Sequence, residues 1–471
     1  MKRVVHWALL RTIVYHPLPL AKPSFVRTLP TIILLLLTLL NTACDRPFRD
    51  VGEAAVEVIS PDLSYAVDEE RISLELRVTS VRDVTRVSSG GIEFASAGSD
   101  TWTAELDLQP GLNRFLVESV VDDGPTAIDT LDVLRVDWSF ESLTASRPLL
   151  FGSGGHTSSV LSDGTLALIG GSAMPGGPGG FDLWKLPDGD SRFIPSRNQT
   201  LAPRIGHTAS VMPDDRILIL GGGIFGNIET VDALVEQAEM YDPVEDRFTN
   251  VPVVGPPIRR MYHSSIVRTI QGQQFIVLLG GRGDTRYTPE SELGIRQDMR
   301  TFELRNDSLF ALSPAVGPFI RFVAGHTQTA LNGNLTDQAS AYLVAGIDLD
   351  HGSEGVSLMM DFAAPSGIES SDWPPMIVPR IRHASAAVAP GYVAHFGGRS
   401  TENDIPLDSG EIHVSAAEKS FLFPPGLQAS LTASYGGSAT RMRDGRIALI
   451  GGFDEAGNGL AVVDFVSLTV Q

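Results

Sequence analysis

The sequence predicts an all-β repeat protein, and three observations support that prediction. A short motif recurs six times between residues 154 and 452: a histidine or its substitute, a β-run, a turn, a second β-run and a glycine pair. Successive anchor positions lie 51, 56, 63, 57 and 54 residues apart, which is enough chain for about four short strands. The runs are apolar, as in Leu166–Ile169 and Ile217–Leu220, which is typical of strands buried on both faces. Since a unit of this size cannot bury its own apolar face, neighbouring units must stack.

The repeated residues are predicted to be structural. Asp163-Gly164, Asp214-Asp215 and Asp444-Gly445 indicate tight hairpin turns between the two runs. The glycine pair allows positive φ and close approach of the next backbone. Gly437 takes the histidine position of the sixth copy, and copy four has Ala345-Gly346 for the pair. The anchors are His156, Gly170, Gly171, His207, Gly221, Gly222, His263, Gly280, Gly281, His326, Gly346, His383, Gly397, Gly398, Gly451 and Gly452.

The second copy resembles the Kelch repeat most fully. Arg204 and His207 enter its first run, Gly221-Gly222 close the second, and Tyr241-Asp242-Pro243 and Phe248 follow in order. The resemblance covers residues 138–471. It implies a six-bladed Kelch-type β-propeller, in which small sheets surround a central channel.

The end of the chain predicts how the ring closes. The last copy stops after one apolar run, 460–470, and so lacks a fourth strand. Trp138 and Phe140, just before the first anchor, have the aromatic character of the strand that ends other copies. We therefore expect this segment to complete the last blade, which removes exposed sheet edges.

Residues 51–137 predict a separate small β-sandwich. Strands with alternating polarity, such as 72–78 and 102–108, are punctuated by turns. The hairpin at Gln109-Pro110-Gly111 followed by acidic Asp122-Asp123 resembles the late hairpin of a bacterial immunoglobulin-like domain. Its expected role is a stalk below the propeller, or a linker domain without a binding function.

The N-terminus resembles a bacterial lipoprotein signal. Residues 1–43 carry five Lys or Arg and no acid, and residues 31–40 are apolar but too short to span a bilayer. Cys44, the single cysteine, follows small residues at the end of this run. The resemblance implies a signal peptide over 1–43, lipidation of Cys44, a linker over 44–50, and a protein of the bacterial cell envelope facing the periplasm or exterior.

Charge excludes some partners. Removing residues 1–43 leaves 31 Lys and Arg against 56 Asp and Glu. So acidic a protein is not expected to bind nucleic acid, or membranes except through its lipid. A single cysteine also excludes an internal disulfide.

The sequence gives little support for a catalytic function. No zinc spacing and no nucleophile elbow are found, so we predict no metal and no cofactor. Galactose oxidase also pairs a Kelch-like propeller with an immunoglobulin-like domain, but its copper site needs a cysteine crosslinked to tyrosine, whereas Cys44 lies at the lipid end. Arg204, Arg260 and Arg380, each three residues before an anchor histidine, are either inter-blade hydrogen-bond donors or a cationic funnel for an anionic sugar.

The loops that leave the glycine pairs are the predicted binding surface, because packing fixes the strands and leaves the loops free. Aromatic, arginine and acidic residues there suit a protein or a glycan ligand. These residues are Phe225, Arg282, Asp284, Arg286, Tyr287, Asp348, His351, Arg399, Glu402, Phe453 and Asp454. A binding protein is the favoured prediction. An enzyme resembling the sialic-acid mutarotases, six-bladed Kelch proteins that need only an acid/base pair in a sugar pocket, is the alternative.

Overall fold

The computed structural model describes residues 54–143, 153–180, 182–224, 233–283, 299–312, 324–331, 341–347, 355–361 and 369–471. The predicted signal peptide, Cys44 and linker lie outside these residues. Within them the regular structure is almost entirely β, with one 3₁₀ turn (Ser415–Ala417) and one short helix, α1 (Pro425–Gln428). No helix in the described part of the chain is long and apolar enough to cross a membrane.

Two four-stranded sheets form the N-terminal part of the described chain. Their orders are β1-β2-β6-β5 and β4-β3-β7-β8. Along β2 exposed and buried residues alternate, so Ile72, Leu74, Leu76 and Val78 share a core with the second sheet. The immunoglobulin-like assignment of this sandwich stays a prediction. The strands are β1 (Ala55–Ser60), β2 (Arg71–Thr79), β3 (Val84–Ser89), β4 (Ile92–Glu93), β5 (Ala95–Ser96), β6 (Thr101–Asp107), β7 (Gly111–Val121) and β8 (Ala127–Arg135).

The first half of the propeller holds three antiparallel sheets, called blades one to three. Blade one is β10-β11-β12-β13, blade two is β14-β15-β16-β17, and blade three is β20-β21-β23-β24 with β18 added in parallel; β19 and β22 form a separate pair. The strands are β9 (Asp137–Ser142), β10 (Thr157–Val160), β11 (Leu166–Ile169), β12 (Leu183–Leu186), β13 (Ile194–Pro195), β14 (Thr208–Val211), β15 (Ile217–Leu220), β16 (Ala238–Asp242), β17 (Arg247–Val251), β18 (Val253–Val254), β19 (Arg260–Met261), β20 (Ser264–Ile270), β21 (Gln273–Leu279), β22 (Arg282–Gly283), β23 (Met299–Arg305) and β24 (Ser308–Ala311).

The second half holds blades four to six. Blade four is β25-β26-β27-β28, blade five is β30-β31-β33-β34, and blade six is β35-β36-β37-β9; β29 pairs with β32. The strands are β25 (Thr327–Ala330), β26 (Ala341–Ile347), β27 (Gly355–Asp361), β28 (Glu369–Trp373), β29 (Arg380–Ile381), β30 (Ala384–Ala389), β31 (Tyr392–Phe396), β32 (Arg399–Ser400), β33 (Gly410–Val414), β34 (Lys419–Leu422), β35 (Ser438–Arg441), β36 (Ile447–Ile450) and β37 (Val463–Thr469).

The blades close into a ring. The first strand of each blade contacts that of the next, and β35 of blade six contacts β10 of blade one. Strand β9 pairs with β37, placing Trp138 opposite Leu468 and Phe140 opposite Val466. The predicted six-bladed propeller and its closure by the segment around Trp138 are therefore confirmed.

The sandwich packs on blade five. Backbone hydrogen bonds join Ala66 N–H to the Leu422 carbonyl and Leu422 N–H to the Ser64 carbonyl, each 2.7 Å long. Leu134 and Val136 share a buried cluster with Phe423 and other side chains of blade five. This shared core, which also includes Val466 and Leu468 of blade six, ties the sandwich to the propeller through backbone and side-chain contacts.

Candidate ligand-binding site at the central channel

Six backbone hydrogen bonds form a closed ring around the channel. Each blade contributes the residue just before its anchor position, and its N–H donates to the carbonyl of the equivalent residue in the preceding blade. The bonds are 2.6 to 2.9 Å long and run Gly155 to Gly436, Gly206 to Gly155, Tyr262 to Gly206, Gly325 to Tyr262, Arg382 to Gly325 and Gly436 to Arg382.

All six residues of this neck ring have left-handed backbones. Four are glycine, for which positive φ is not strained. The other two are Tyr262, with φ 55°, and Arg382, with φ 51°. A residue with a Cβ atom costs about 1–2 kcal/mol in this conformation. Such strain at two positions of a repeated structure points to a use for those side chains.

The two side chains stack on each other. The guanidinium carbon of Arg382 lies 4.2 Å from the centroid of the Tyr262 ring, across the glycine of blade four. A Cβ atom on Gly325 would lie 3.0 Å from Arg382 Cγ, and one on Gly206 would lie 2.8 Å from the Tyr262 ring. The neighbouring glycines therefore leave the space that the Tyr262–Arg382 pair occupies.

The pair lines a cavity of about 150 Å³ in the central channel. Cavities above about 10–15 Å³ by this measure hold a water molecule, so this one admits a small ligand group. Its lining consists of neck-ring residues, anchor histidines and one aromatic ring from blade six: Gly155, His156, Gly206, His207, Tyr262, His263, Gly325, His326, Arg382, His383, Gly436, Gly437 and Phe453.

The anchor histidines form a belt with hydroxyl groups. Each Nε2 is hydrogen-bonded to the Ser or Thr that follows the anchor of the preceding blade. The pairs are His156 with Ser438 (3.0 Å), His207 with Thr157 (3.0 Å), His263 with Thr208 (3.2 Å), His326 with Ser264 (2.9 Å) and His383 with Thr327 (2.9 Å). The sixth pair is missing on both sides, because Gly437 replaces the histidine and Ala384 replaces the hydroxyl residue.

Burial keeps four of these histidines neutral. Desolvation lowers the pKa of His156 to about 4 and that of His326 to about 3, although backbone hydrogen bonds partly offset it at His156. The pKa values of His207 and His383 also lie well below the usual range, first through burial and then through the positive charge of Arg204 and Arg380, respectively. Within the described residues, no three His, Cys, Asp or Glu side chains group as a metal site requires. The belt is therefore best explained as inter-blade hydrogen bonding.

The arginines three residues before the anchors are buried donors. The Nη1 atoms of Arg204, Arg260 and Arg380 donate to the carbonyl of the first glycine of their own blade's pair, at 2.5, 3.0 and 2.7 Å. Each side chain is at most 1% exposed. These bonds have the structural role expected of the three arginines, but they join strands within one blade rather than between blades, and side chains this deeply buried do not form a cationic funnel.

Three of the predicted loop residues lie beside the neck ring. Arg282 pairs with Met261, and Arg399 pairs with Ile381, each one residue before a neck-ring side chain. Phe453 bridges to Tyr435 and lines the cavity, although it is only 2% exposed. The guanidinium of Arg399 is held by Asp404 and lies 5.1 Å from the centroid of the Tyr435 ring.

Two others lie in surface turns, and six fall outside the described residues. Asp454 accepts hydrogen bonds from the backbone and side-chain amides of Asn458, at 2.7 and 3.1 Å, which stabilise its own loop. The N–H of exposed Glu402 donates to Ser400 Oγ at 3.3 Å. The positions that are not described are Phe225, Asp284, Arg286, Tyr287, Asp348 and His351.

Sequence reasoning missed Tyr262 and Arg382. The signal lay in the position before the anchor, which reads Gly in copies one, two, four and six but Tyr in copy three and Arg in copy five. A comparison of this single column shows where the repeat departs from glycine.

No family model and no curated protein matches this chain. Among solved structures, YjhT is similar with a TM-score of 0.48 and 11% sequence identity, covering 69% of this chain and 99% of YjhT. A fungal alcohol oxidase of the AA5 family, solved in complex with copper, has a TM-score of 0.44 and 13% identity, covering 89% of this chain and 76% of the oxidase. At these levels of similarity neither protein's activity carries over.

Proposed function

We propose that this chain is a lipid-anchored, extracytoplasmic binding protein whose propeller recognises a glycan or a protein at the channel mouth formed by Tyr262 and Arg382. One observation supports this most directly. The neck ring places two side chains in a conformation that favours glycine, and both of them line the channel cavity. The strain is explained if the pair contacts a ligand.

The chemistry of the pair suits such a ligand. A guanidinium that stacks through its face keeps its N–H donors at its edges, where they match carboxylate or hydroxyl oxygens. An aromatic ring offers an apolar face to a sugar or a side chain. Arg382 and Tyr262 thus combine polar and apolar recognition within one cavity of about 150 Å³. Sequence resemblance to Kelch repeats, which carry their variation in loops, agrees with a binding role at this end of the channel.

The mutarotase-like alternative needs an acid/base pair in the pocket. Of the described lining, His156, His207, His326 and His383 have lowered pKa values, the Nε2 atoms of all five anchor histidines are engaged with hydroxyls, and no carboxylate belongs to it. Binding without chemistry is therefore the function that this geometry supports better.

A paired screen tests the proposal. The full-length protein in detergent is applied to a glycan array and used in pull-downs from envelope extracts, and the same sample is added to sialic acid while NMR follows interconversion of its anomers. We expect a bound glycan or protein and an unchanged anomerisation rate. Faster anomerisation with no bound ligand would favour the enzyme and reject the binding proposal.

The lipid anchor has its own test. Cys44→Ser removes the thiol that lipidation requires, so the variant should move from the membrane fraction to the soluble fraction. Exposed Ser191 serves as the matched control, because Ser191→Ala leaves Cys44 intact and should leave the protein in the membrane fraction. Membrane retention of the Cys44→Ser protein would reject anchoring through this residue.

A further inference from the structure

Two blades carry the same buried ion pair. In blade two, Arg204 Nη2 lies 2.5 Å from Glu239 Oε1, and in blade five, Arg380 Nη2 lies 3.3 Å from Glu411 Oε1. All four side chains are fully buried. The acids occupy equivalent places on the third strands, opposite the residue two before the glycine pair. The guanidinium of Arg204 also donates to the carbonyls of Gly221 and Gln237.

Blade six keeps the acid but lacks the arginine. Asp464 lies opposite Leu449, two residues before its glycine pair, as Glu239 does in blade two. Ser434 stands in the arginine position: its carbonyl accepts from Gly398 N–H at 2.8 Å, as the carbonyl of Arg204 accepts from Gly171 N–H at 2.9 Å. Asp464 therefore faces the place that a guanidinium occupies in blades two and five.

A cavity of about 40 Å³ occupies this place, between blades five and six. By the usual allowance of about 10–15 Å³ for a water molecule, it has room for about three, comparable to the four heavy atoms of a guanidinium. Gly451, Val462 and Asp464 line it, and they correspond to Gly221, Gln237 and Glu239, which surround the Arg204 guanidinium. The missing belt pair, Ala384 and Gly437, lines it as well.

Asp464 has an unused acceptor in this cavity. Its side chain is 3% exposed, and a hydrogen bond with Ser142 of the closing strand engages the carboxyl group. No donor among the described residues reaches its Oδ1 atom. A buried carboxylate oxygen without a partner costs about 1–3 kcal/mol or more, which a bound cationic donor would remove.

We propose that the cavity between blades five and six, called the seam, binds the guanidinium group of a ligand. Asp464 and the carbonyls of Gly451 and Val462 take the roles that Glu239 and two carbonyls play toward Arg204. Arg382 is the other charged residue in the described lining, and its guanidinium is stacked on Tyr262. The seam shares Arg382 and Gly437 with the central channel, so the two cavities adjoin each other. Guanidinium binding in the seam does not require recognition by the Tyr262–Arg382 pair.

The test uses methylguanidinium as the probe and full-length protein in detergent. Saturation-transfer NMR should show saturable binding, weakened at least about tenfold by Asp464→Asn, because a charge-assisted hydrogen bond is lost. Ser434→Arg should abolish binding by filling the cavity with an internal guanidinium. Asp163→Asn, at an exposed hairpin turn, is the matched control and should bind like the wild type.

The source of the group is distinguished by two capped tripeptides, Gly-Arg-Gly and Gly-Lys-Gly. Binding of the arginine peptide alone identifies an arginine side chain as the ligand group, whereas binding of methylguanidinium but not the peptide identifies a small guanidino compound. No saturable methylguanidinium binding, or equal binding to wild type and to both the Asp464→Asn and Ser434→Arg proteins, would overturn the proposal. Circular dichroism shows whether each variant is folded. Because Asp464→Asn and Ser434→Arg change the cavity in different ways, either variant still tests the proposal if the other does not fold.

Discussion

The guanidinium of Arg382 lies over the ring of Tyr262 although the two residues belong to blades five and three. The contact spans blade four because that blade contributes glycine to the neck ring, and any Cβ atom there would touch Arg382. Both partners hold left-handed backbones, so the pair combines local strain with exposure to the channel cavity.

Replacement of Tyr262 separates backbone strain from side-chain contacts. Tyr262→Ala should be less stable than Tyr262→Gly by about 1 kcal/mol, because alanine keeps the left-handed strain and glycine relieves it. Urea denaturation measures the difference. At exposed Glu245, where φ is not left-handed, Ala should be at least as stable as Gly. If the Ala and Gly variants had the same order of stability at both positions, the assignment of strain to Tyr262 would be contradicted.

The histidine belt should depend on its hydroxyl groups. Thr157→Val keeps the side-chain shape but leaves the buried Nε2 of His207 without its 3.0 Å partner, so we expect a loss of about 1–3 kcal/mol in the free energy of unfolding. Thr130→Val, at an exposed position of the sandwich, should change stability little. Equal stability of the two variants in chemical denaturation would show that the belt bond contributes nothing.

The buried ion pair of blade two should show strong coupling. Arg204→Met leaves Glu239 buried without its cation and should cost about 3–5 kcal/mol. Adding Glu239→Gln removes the stranded charge and keeps an acceptor for the N–H groups of Leu201 and Ala202, so the double variant should recover part of the loss. The exposed Arg71–Asp107 pair is the comparison, and Arg71→Met should stay close to the wild type. Additive effects of the Arg204 and Glu239 changes would exclude the coupling.

Stability should fall as pH decreases from 7 to 5. Four belt histidines, His156, His207, His326 and His383, are neutral in the folded protein, with a pKa of about 4 for His156, but take up protons near 6.5 when unfolded. Their contribution is complete above about pH 6.5 and is lost progressively as pH falls toward 4, by up to about 1.4 kcal/mol per pH unit for each histidine. Buried Glu411 and Asp464, whose pKa values burial raises, act in the opposite direction.

Substitution of one histidine shows how much that residue contributes to the pH dependence of the unfolding free energy. His156→Gln should reduce the pH dependence of the unfolding free energy by about half a proton at pH 6.5, rising to about one proton near pH 5. An unchanged slope would mean that His156 is protonated in the folded protein, contrary to the effect of its burial.

Much of the fold can be predicted from the sequence because equivalent positions in the six copies of the repeat can be compared. The glycine pairs, the anchor histidines and the aromatic segment around Trp138 each reflect a local backbone requirement, and the structure bears out the six blades and their closure. The paired loss of Gly437 and Ala384 was not predictable without the belt geometry, because the two positions belong to different copies and meet only across a blade seam.

The candidate site was harder to predict for a related reason. Loop length and composition drew attention to residues after the glycine pairs, whereas Tyr262 and Arg382 lie before the anchors, in a column that is otherwise glycine. Their contact depends on Gly325 in the blade between them, and a stacking partner two copies away along the chain leaves no trace in local periodicity.

The most direct test of the central claim is ligand binding by a protein with both neck-ring side chains removed. In the Tyr262→Gly, Arg382→Gly double variant the neck ring keeps its backbone hydrogen bonds and loses its strain, so we expect unfolding free energy near that of the wild type. Titration with the glycan or protein found by the screen should show affinity reduced at least about tenfold. Wild-type affinity in this folded double variant would contradict recognition at the channel mouth.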